Sequence, residues 1–183
     1  MSRSNKSSAY TWHWSCDRLL MLGVGIQSNF SFSAHLSRTI SCASQSLYAL
    51  KVLKNSGLPQ LAVSRVCSAT LVSRLFYASP CWWGPIGVEG RQRLQGVLNR
   101  AYRWGVSWPS TLNITDICTR ADKSLFKNVL VVSNSAHILH RLLPPPVTHA
   151  HNLRQRTHNR SLPVCDTFTK LNFIRRMLFN SSD

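Results

Sequence analysis

The apolar pattern of the chain changes character near residue 33. From Leu19 to Ile26 the apolar residues form a compact run broken by Gly23 and Gly25, and then Phe30 and Phe32 alternate with serines, which predicts a strand or hairpin over 19–32. Beyond it the spacing is helical as far as residue 143. Leu36, Ile40, Ala43, Leu47 and Leu50 recur at three- and four-residue intervals and predict a helix over 33–53, with Gly57 as its stop. A second helix is expected to start at Pro59, because a missing amide hydrogen costs nothing at a first helical position, and to run to about Tyr77, ended by Pro80. The stretch 81–87, holding Trp82, Trp83, Gly84 and Pro85, reads as a bulky turn.

Over 88–104, Leu94, Val97, Leu98 and Ala101 form one stripe. At about 100° per residue Arg93, Arg100 and Arg103 fall on the opposite side, so this helix is expected to turn a basic face to solvent. Asn113 followed by Asp116 resembles a capping box with an acidic partner, and Asp122 or Lys123 is expected to open a further short helix through Leu125, Phe126, Val129 and Leu130. Asn134 or Ser135 then precedes 137–143, and Pro144, Pro145 and Pro146 close the helical region because proline cannot continue the hydrogen-bond ladder. The segment 149–160 carries Arg154, Arg156 and Arg160 with three histidines and almost no large apolar side chain, too little to order itself by burial. A last amphipathic segment, 171–179, sets Phe173, Met177 and Leu178 beside Arg175 and Arg176. The expected fold class is mainly α: a helical bundle with a short N-terminal hairpin and a basic, partly disordered C-terminal tail.

Composition narrows the function. The 183 residues suit one folded region with tails rather than several catalytic modules. Lys and Arg number 22 against 6 Asp and Glu, a formal charge of +16, which excludes an acidic disordered regulator and argues against a purely metabolic enzyme. The acids Asp17, Glu89, Asp116, Asp122, Asp166 and Asp183 stand apart, so carboxylate-dependent chemistry has few residues to draw on. The apolar runs 19–26 and 129–132 fall short of the roughly 18 residues a membrane-spanning helix needs, and no membrane partner is expected. The Ser-rich first fifteen residues hold Arg3 and Lys6 without an acid, as a transit peptide does, but Trp12 and Trp14 break its amphipathic pattern. Six cysteines without a Cys-x-x-Cys motif point to reduced intracellular thiols, and sequons at Asn5, Asn29, Asn113, Asn159 and Asn180 reflect the abundance of Ser and Asn.

Several chemistries are weighed and set aside. His137 and His140 share a helix face, and with His149, His151, His158 and Cys165 they make a ligand set on paper, but the spacing fits no zinc-finger pattern, so no metal is expected. Gly23-Val24-Gly25 lacks the third glycine and following Lys of a phosphate loop. Trp104 and Trp108 are read as core residues rather than base-stacking platforms, whereas Arg93, Arg100 and Arg103 are read as phosphate contacts rather than a merely solvated face. Arg154, Arg156 and Arg160 are candidates for a basic tail that follows nucleic-acid phosphates. No small-molecule substrate is evident.

A series of short motifs runs through the same segments. Leu22-Gly23-Val24 and His35 are followed by Ser46-Leu47-Tyr48-Ala49-Leu50, Gly57-Leu58-Pro59, Tyr77-Ala78-Ser79-Pro80, Trp83-Gly84, Arg91-Gln92-Arg93-Leu94 and Arg100-Ala101. Then come Asp122-Lys123, Leu125-Phe126, His137-Ile138-Leu139-His140, Leu142-Leu143-Pro144-Pro145, Asn152-Leu153-Arg154-Gln155-Arg156, Leu162-Pro163, Asn172-Phe173-Ile174 and Arg176-Met177-Leu178. In order and spacing over about residues 20 to 179, this resembles the C-terminal part of the reverse transcriptase of jockey-like non-LTR retrotransposons.

The resemblance implies the end of a polymerase palm at 19–32, a helical thumb-like domain at 33–143 and a proline break with a basic extension at 144–183, while 1–18 match nothing and are expected to be disordered. It implies RNA or an RNA–DNA duplex as partner, in the cytoplasm or nucleus. Two-metal polymerisation needs carboxylates that hold two cations about 4 Å apart, commonly with an Asp-Asp pair on a hairpin, and this chain has none. Magnesium would belong to the palm, so no catalytic residue and no cofactor is assigned within the chain, and it is expected to be inactive alone. Gly87, Gly90 and Gly96 in or near a helix, each costing about 1 kcal/mol relative to Ala, suit a degenerate copy. The alternative is a self-contained basic helical adaptor or organelle nucleoprotein without enzymatic activity.

Overall fold

A computed structural model describes residues 17–106, 112–131, 136–147, 158–164, 166 and 169–180. They form a mainly helical structure with an N-terminal antiparallel hairpin, in agreement with the apolar pattern. Strands β1 (Arg18–Met21) and β2 (Val24–Gln27) pair with Arg18 opposite Gln27 and Met21 opposite Val24. The turn between them places Leu22 at φ 47° and Gly23 at φ 83°, the pair of left-handed residues whose twist suits a two-residue hairpin. The Tyr77 hydroxyl donates to the Leu22 carbonyl at 2.9 Å and ties this turn to the helical body. Val24 and Gly25 are buried against that body, whereas Leu19, Leu20, Met21 and Leu22 are all more than half exposed.

Helix α1 (Ser33–Asn55) buries Leu36, Ala43, Leu47 and Leu50, and Ile40 packs at the edge of the same core. It ends where Gly57 takes φ 90°, with Gly57 N donating to the Lys54 carbonyl and Leu58 N to the Leu53 carbonyl, a cap that satisfies two terminal acceptors. The second predicted helix follows a helical path that is not uniform: α2 (Gln60–Cys67), a π-helical turn (Ser68–Val72) and α3 (Ser73–Phe76). Pro80 does not end it. The path is broken earlier, at Tyr77 and at Ala78 with φ 50°, and Pro80 sits in the first turn of α4 (Ser79–Trp82), where its missing amide hydrogen is harmless. The bulky turn expected at 81–87 therefore begins as a helix, and Trp82 and Trp83 are buried with their rings edge to face at 6.4 Å.

Helix α5 (Val88–Arg103) buries the predicted stripe of Leu94, Val97, Leu98 and Ala101. Its end is capped by Gly105 at φ 61°, with Gly105 N donating to the Tyr102 carbonyl and Val106 N to the Ala101 carbonyl. The expected short helix beginning at Asp122 or Lys123 is corrected by the structure. A single helix, α6 (Ile114–Leu130), starts at Asn113, whose side chain accepts from Thr115 N at 2.9 Å, and Asp122 lies in its middle. Sequence spacing placed a boundary at Asp122 because an acid suits a first turn, but a buried ion pair gives that acid another place.

A 3-10 turn (Ile138–Leu142) leads into the prolines. A second one (Thr169–Leu171) leads into α7 (Phe173–Asn180). One apolar cluster is built from β2, α1 to α5 and the start of α6. A second joins Phe126 and Val129 of α6 to Ile174, Met177 and Leu178 of α7, so the last amphipathic segment packs on the helical body.

Two of the glycines expected to weaken the helices have positions that explain them. Gly87 precedes α5 in an extended conformation with φ −70° and ψ 172°. A methyl group on Gly90 would stand 2.6 Å from Ile86 Cγ2 and 2.8 Å from Leu36 Cδ2, so Gly90 is what lets α5 approach α1. Gly96 meets no neighbour and retains its cost.

Candidate nucleic-acid interface

Helices α1 and α5 run side by side in the same direction. Leu36 meets Gly90 near their starts, Arg93 Nη2 donates to Ser37 Oγ at 3.3 Å, and Lys54 Nζ donates to the Trp104 and Gly105 carbonyls at 3.0 and 3.1 Å near their ends. Lys54 thereby places a cation at the C-terminus of α5, where the helix dipole favours one. Gln60 Nε2 adds a third donor there, to the Gly105 carbonyl at 2.9 Å.

This parallel pairing sets two rows along one seam. On α5 the i, i+4, i+7, i+11, i+14 positions are Glu89, Arg93, Gly96, Arg100 and Arg103, of which Arg93 and Arg103 are exposed and Arg100 is half-buried. On the α5 side of α1 the same spacing gives Ser37, Ser41, Ser44, Tyr48 and Lys51. Ser37, Ser41 and Tyr48 are exposed, and the Lys51 ammonium lies 4.7 Å from the Trp104 ring. Trp104 is half-buried against the core, the position read for it from the sequence; Trp108 lies outside the described residues. The seam thus offers three guanidinium groups, an ammonium, hydroxyls and one exposed phenol. Glu89 stands at its start, in the first turn of α5, where a carboxylate complements the positive end of the helix.

The tail arginines divide. Arg154 and Arg156 lie outside the described residues. Arg160 is not part of a loose strand of cations. Its Nη1 donates to the Pro144 carbonyl at 3.2 Å, its amide donates to His158 Nδ1 at 3.1 Å, and its backbone bridges to Pro146. His158 is buried, with Nε2 2.9 Å from the Leu178 carbonyl and its ring edge on Phe126 at 6.0 Å. Since Nδ1 accepts, Nε2 carries the hydrogen and donates, which links the segment after the prolines to α7. His137, another of the histidines considered as a ligand, accepts from Leu139 N and caps the 3-10 turn.

Sequence reasoning missed one buried polar cluster. Arg176 Nη2 donates to Asp122 Oδ2 at 2.8 Å, with side-chain exposures of 13% and 5%. The guanidinium also reaches the Leu171 carbonyl at 3.1 Å and the Pro80 carbonyl at 3.5 Å, and it passes so close to Gly84 that no side chain fits there. Burial pushes the Asp122 carboxyl above its usual range, opposed by Arg176. The neighbouring Cys118 thiol is pushed up to about 12, first by burial and then by the Asp122 charge, with Ser79, Arg91 and Arg176 acting the other way. An acid and an arginine 54 positions apart carry no local signal of pairing.

Asp122 is taken up by Arg176, Asp116 is exposed on another side of α6, and among the described residues no group of three metal-ligating side chains assembles. Among the same residues no helix is long and apolar enough to cross a membrane. The chain matches no protein-family profile, no curated protein and no solved structure.

Proposed function

We propose that this chain is a thumb-like portion of a retrotransposon RNA-directed DNA polymerase, without the catalytic palm, and that it holds an RNA–DNA duplex through its phosphates without reading sequence. The observation that carries the reading is the α1–α5 seam, where Arg93, Arg100 and Arg103 lie beside a stripe of serines, Tyr48 and Lys51. Guanidinium groups spaced along a rigid helix meet successive phosphates, and phosphate contacts supply position and affinity without sequence information. The bare Gly96 between Arg93 and Arg100 leaves room for a backbone to approach.

The hairpin supports the polymerase part of the reading. Two strands alone are marginal in water, and β1 leaves Leu19, Leu20 and Met21 more than half exposed, a surface that an adjoining sheet would cover. The test is fluorescence anisotropy of the purified chain with a labelled RNA–DNA duplex over a salt series, alongside a primer-extension assay with magnesium and nucleotides. Binding that falls steeply with salt and is alike for unrelated sequences, with no extension, is the expected result. Salt-independent binding, or extension of the primer, would overturn the reading.

A further inference from the structure

A second polar feature lies on the other flank of α1. An open cleft of about 600 Å³ lies between α1 and the π-helical turn with α3, bordered by Gly23 of the β-hairpin turn and lined among others by His35, Arg38, Thr39, Thr70, Arg74 and Tyr77. Its walls fall within the stretch between Asp17 and Glu89, which contains no carboxylate. Arg38 and Arg74 therefore face the cleft with no acid lining it, and the sole hydrogen bond drawn by the Arg74 guanidinium within reach is to Ser46 Oγ at 3.3 Å among the described residues. The Thr70 hydroxyl donates to the Val66 carbonyl at 2.7 Å, and Ser73 likewise donates to Ala69, so the charged donors left for a ligand are the two guanidinium groups. The wall that bears Thr70 is the π-helical turn, an irregularity that recurs at functional sites.

We propose that this cleft binds a phosphomonoester of nucleotide size, with Arg38 and Arg74 clasping the phosphate from opposite walls and the Tyr77 ring bearing the base. Two forks of N–H donors match the geometry of a phosphate better than point charges do. A bare phosphate would leave most of the volume empty, and a cleft of this size suits a small organic ligand. Tyr77 is 54% exposed, yet its hydroxyl is held by Leu22, so its ring is a fixed platform. His35 is held by its hydrogen bond from Gly25 N at 3.4 Å, and burial with the Arg38 charge keeps it below its ordinary titration range, which leaves it a neutral wall at pH 7. The cleft is separate from the seam: Ser37 and Arg38 are adjacent in α1 and so point about 100° apart.

The experiment is calorimetric titration of the full chain with AMP and with adenosine, repeated for Arg38→Gln, Arg74→Gln and the seam variant Arg93→Gln, with circular dichroism checking that each is folded. AMP should bind at least tenfold more tightly than adenosine. Arg38→Gln and Arg74→Gln should each weaken AMP by about tenfold, while Arg93→Gln leaves it unchanged. Equal binding of AMP and adenosine, no AMP binding by the folded chain, or insensitivity to both cleft variants would overturn the proposal. Competition with AMP by a 5′-phosphorylated oligonucleotide but not its 5′-hydroxyl form would identify the ligand as a strand terminus, and no competition by either would identify a free mononucleotide. Loss of duplex binding in Arg93→Gln with AMP binding retained separates this site from the seam.

Discussion

Gly90 and Gly96 lie six residues apart in α5 and have opposite meanings. Gly90 has Ile86 and Leu36 where its side chain would be, and Gly96 has nothing. Gly96→Ala should therefore raise stability by about 1 kcal/mol, the ordinary helix preference of Ala over Gly. Gly90→Ala should lower it by about 1–3 kcal/mol, because the added methyl forces α5 and α1 apart. Urea midpoints of the two variants check the pair, and equal shifts would contradict the packing described. At Cys118 the consequence is a pH dependence. Its folded thiol ionises near 12 and an unfolded thiol near 9, so between these values the unfolded chain has lost a proton that the folded chain still holds. Stability should fall as pH rises from about 9 toward 12, and Cys67, raised by burial, acts in the same direction. Urea unfolding at pH 8 and pH 10.5 should show this fall, reduced in Cys118→Ala. At pH 8 iodoacetamide should leave Cys118 unmodified until the chain is unfolded.

Helix α7 is held to α6 by an apolar face and by one ion pair. Met177 and Leu178 meet Phe126 and Val129, while Arg176 reaches Asp122 through a single 2.8 Å contact that leaves Asp122 Oδ1 and Arg176 Nε without partners. Removing one member strands a buried charge, so Asp122→Ala should cost about 3–5 kcal/mol. Replacing both, as Asp122→Leu with Arg176→Met, should recover most of that loss, because the pair is neither bidentate nor fully satisfied. Thermal melts of the single and double variants distinguish the two outcomes, and a double variant as unstable as the single would place the energy in Asp122 alone. The helices themselves were legible in local spacing. The α1 stripe, its Gly57 stop and the basic side of α5 were all evident from period and capping residues, which act over a few positions. The break at Pro80 and the start at Asp122 were misplaced because both depend on contacts with distant elements: the hydrogen bond that ties Tyr77 to the hairpin, and the reach of Arg176.

Across the molecule, charge is uneven in kind as well as amount. Between Asp17 and Glu89 lie cations without a single acid, while three of the remaining acids, Glu89, Asp116 and Asp122, sit in α5 and α6. If the seam carries duplex binding, replacing Arg93, Arg100 and Arg103 with Gln should weaken it and reduce the salt exponent by about one unit for each arginine, about three in all. Anisotropy titrations between low and moderate salt measure the exponent, and an unchanged slope would remove the seam from the interface. Composition established the strong positive charge, and periodicity established the helical class with its exposed arginine row, because both are sums or repeats over neighbouring residues. Neither shows which cations remain available. Arg176 was read with the basic tail, but folding commits its guanidinium to Asp122 and the Leu171 carbonyl. The α1–α5 seam and the Arg38–Arg74 cleft likewise exist only once helices far apart in sequence lie side by side, since what a cation can bind depends on the neighbours that folding brings to it.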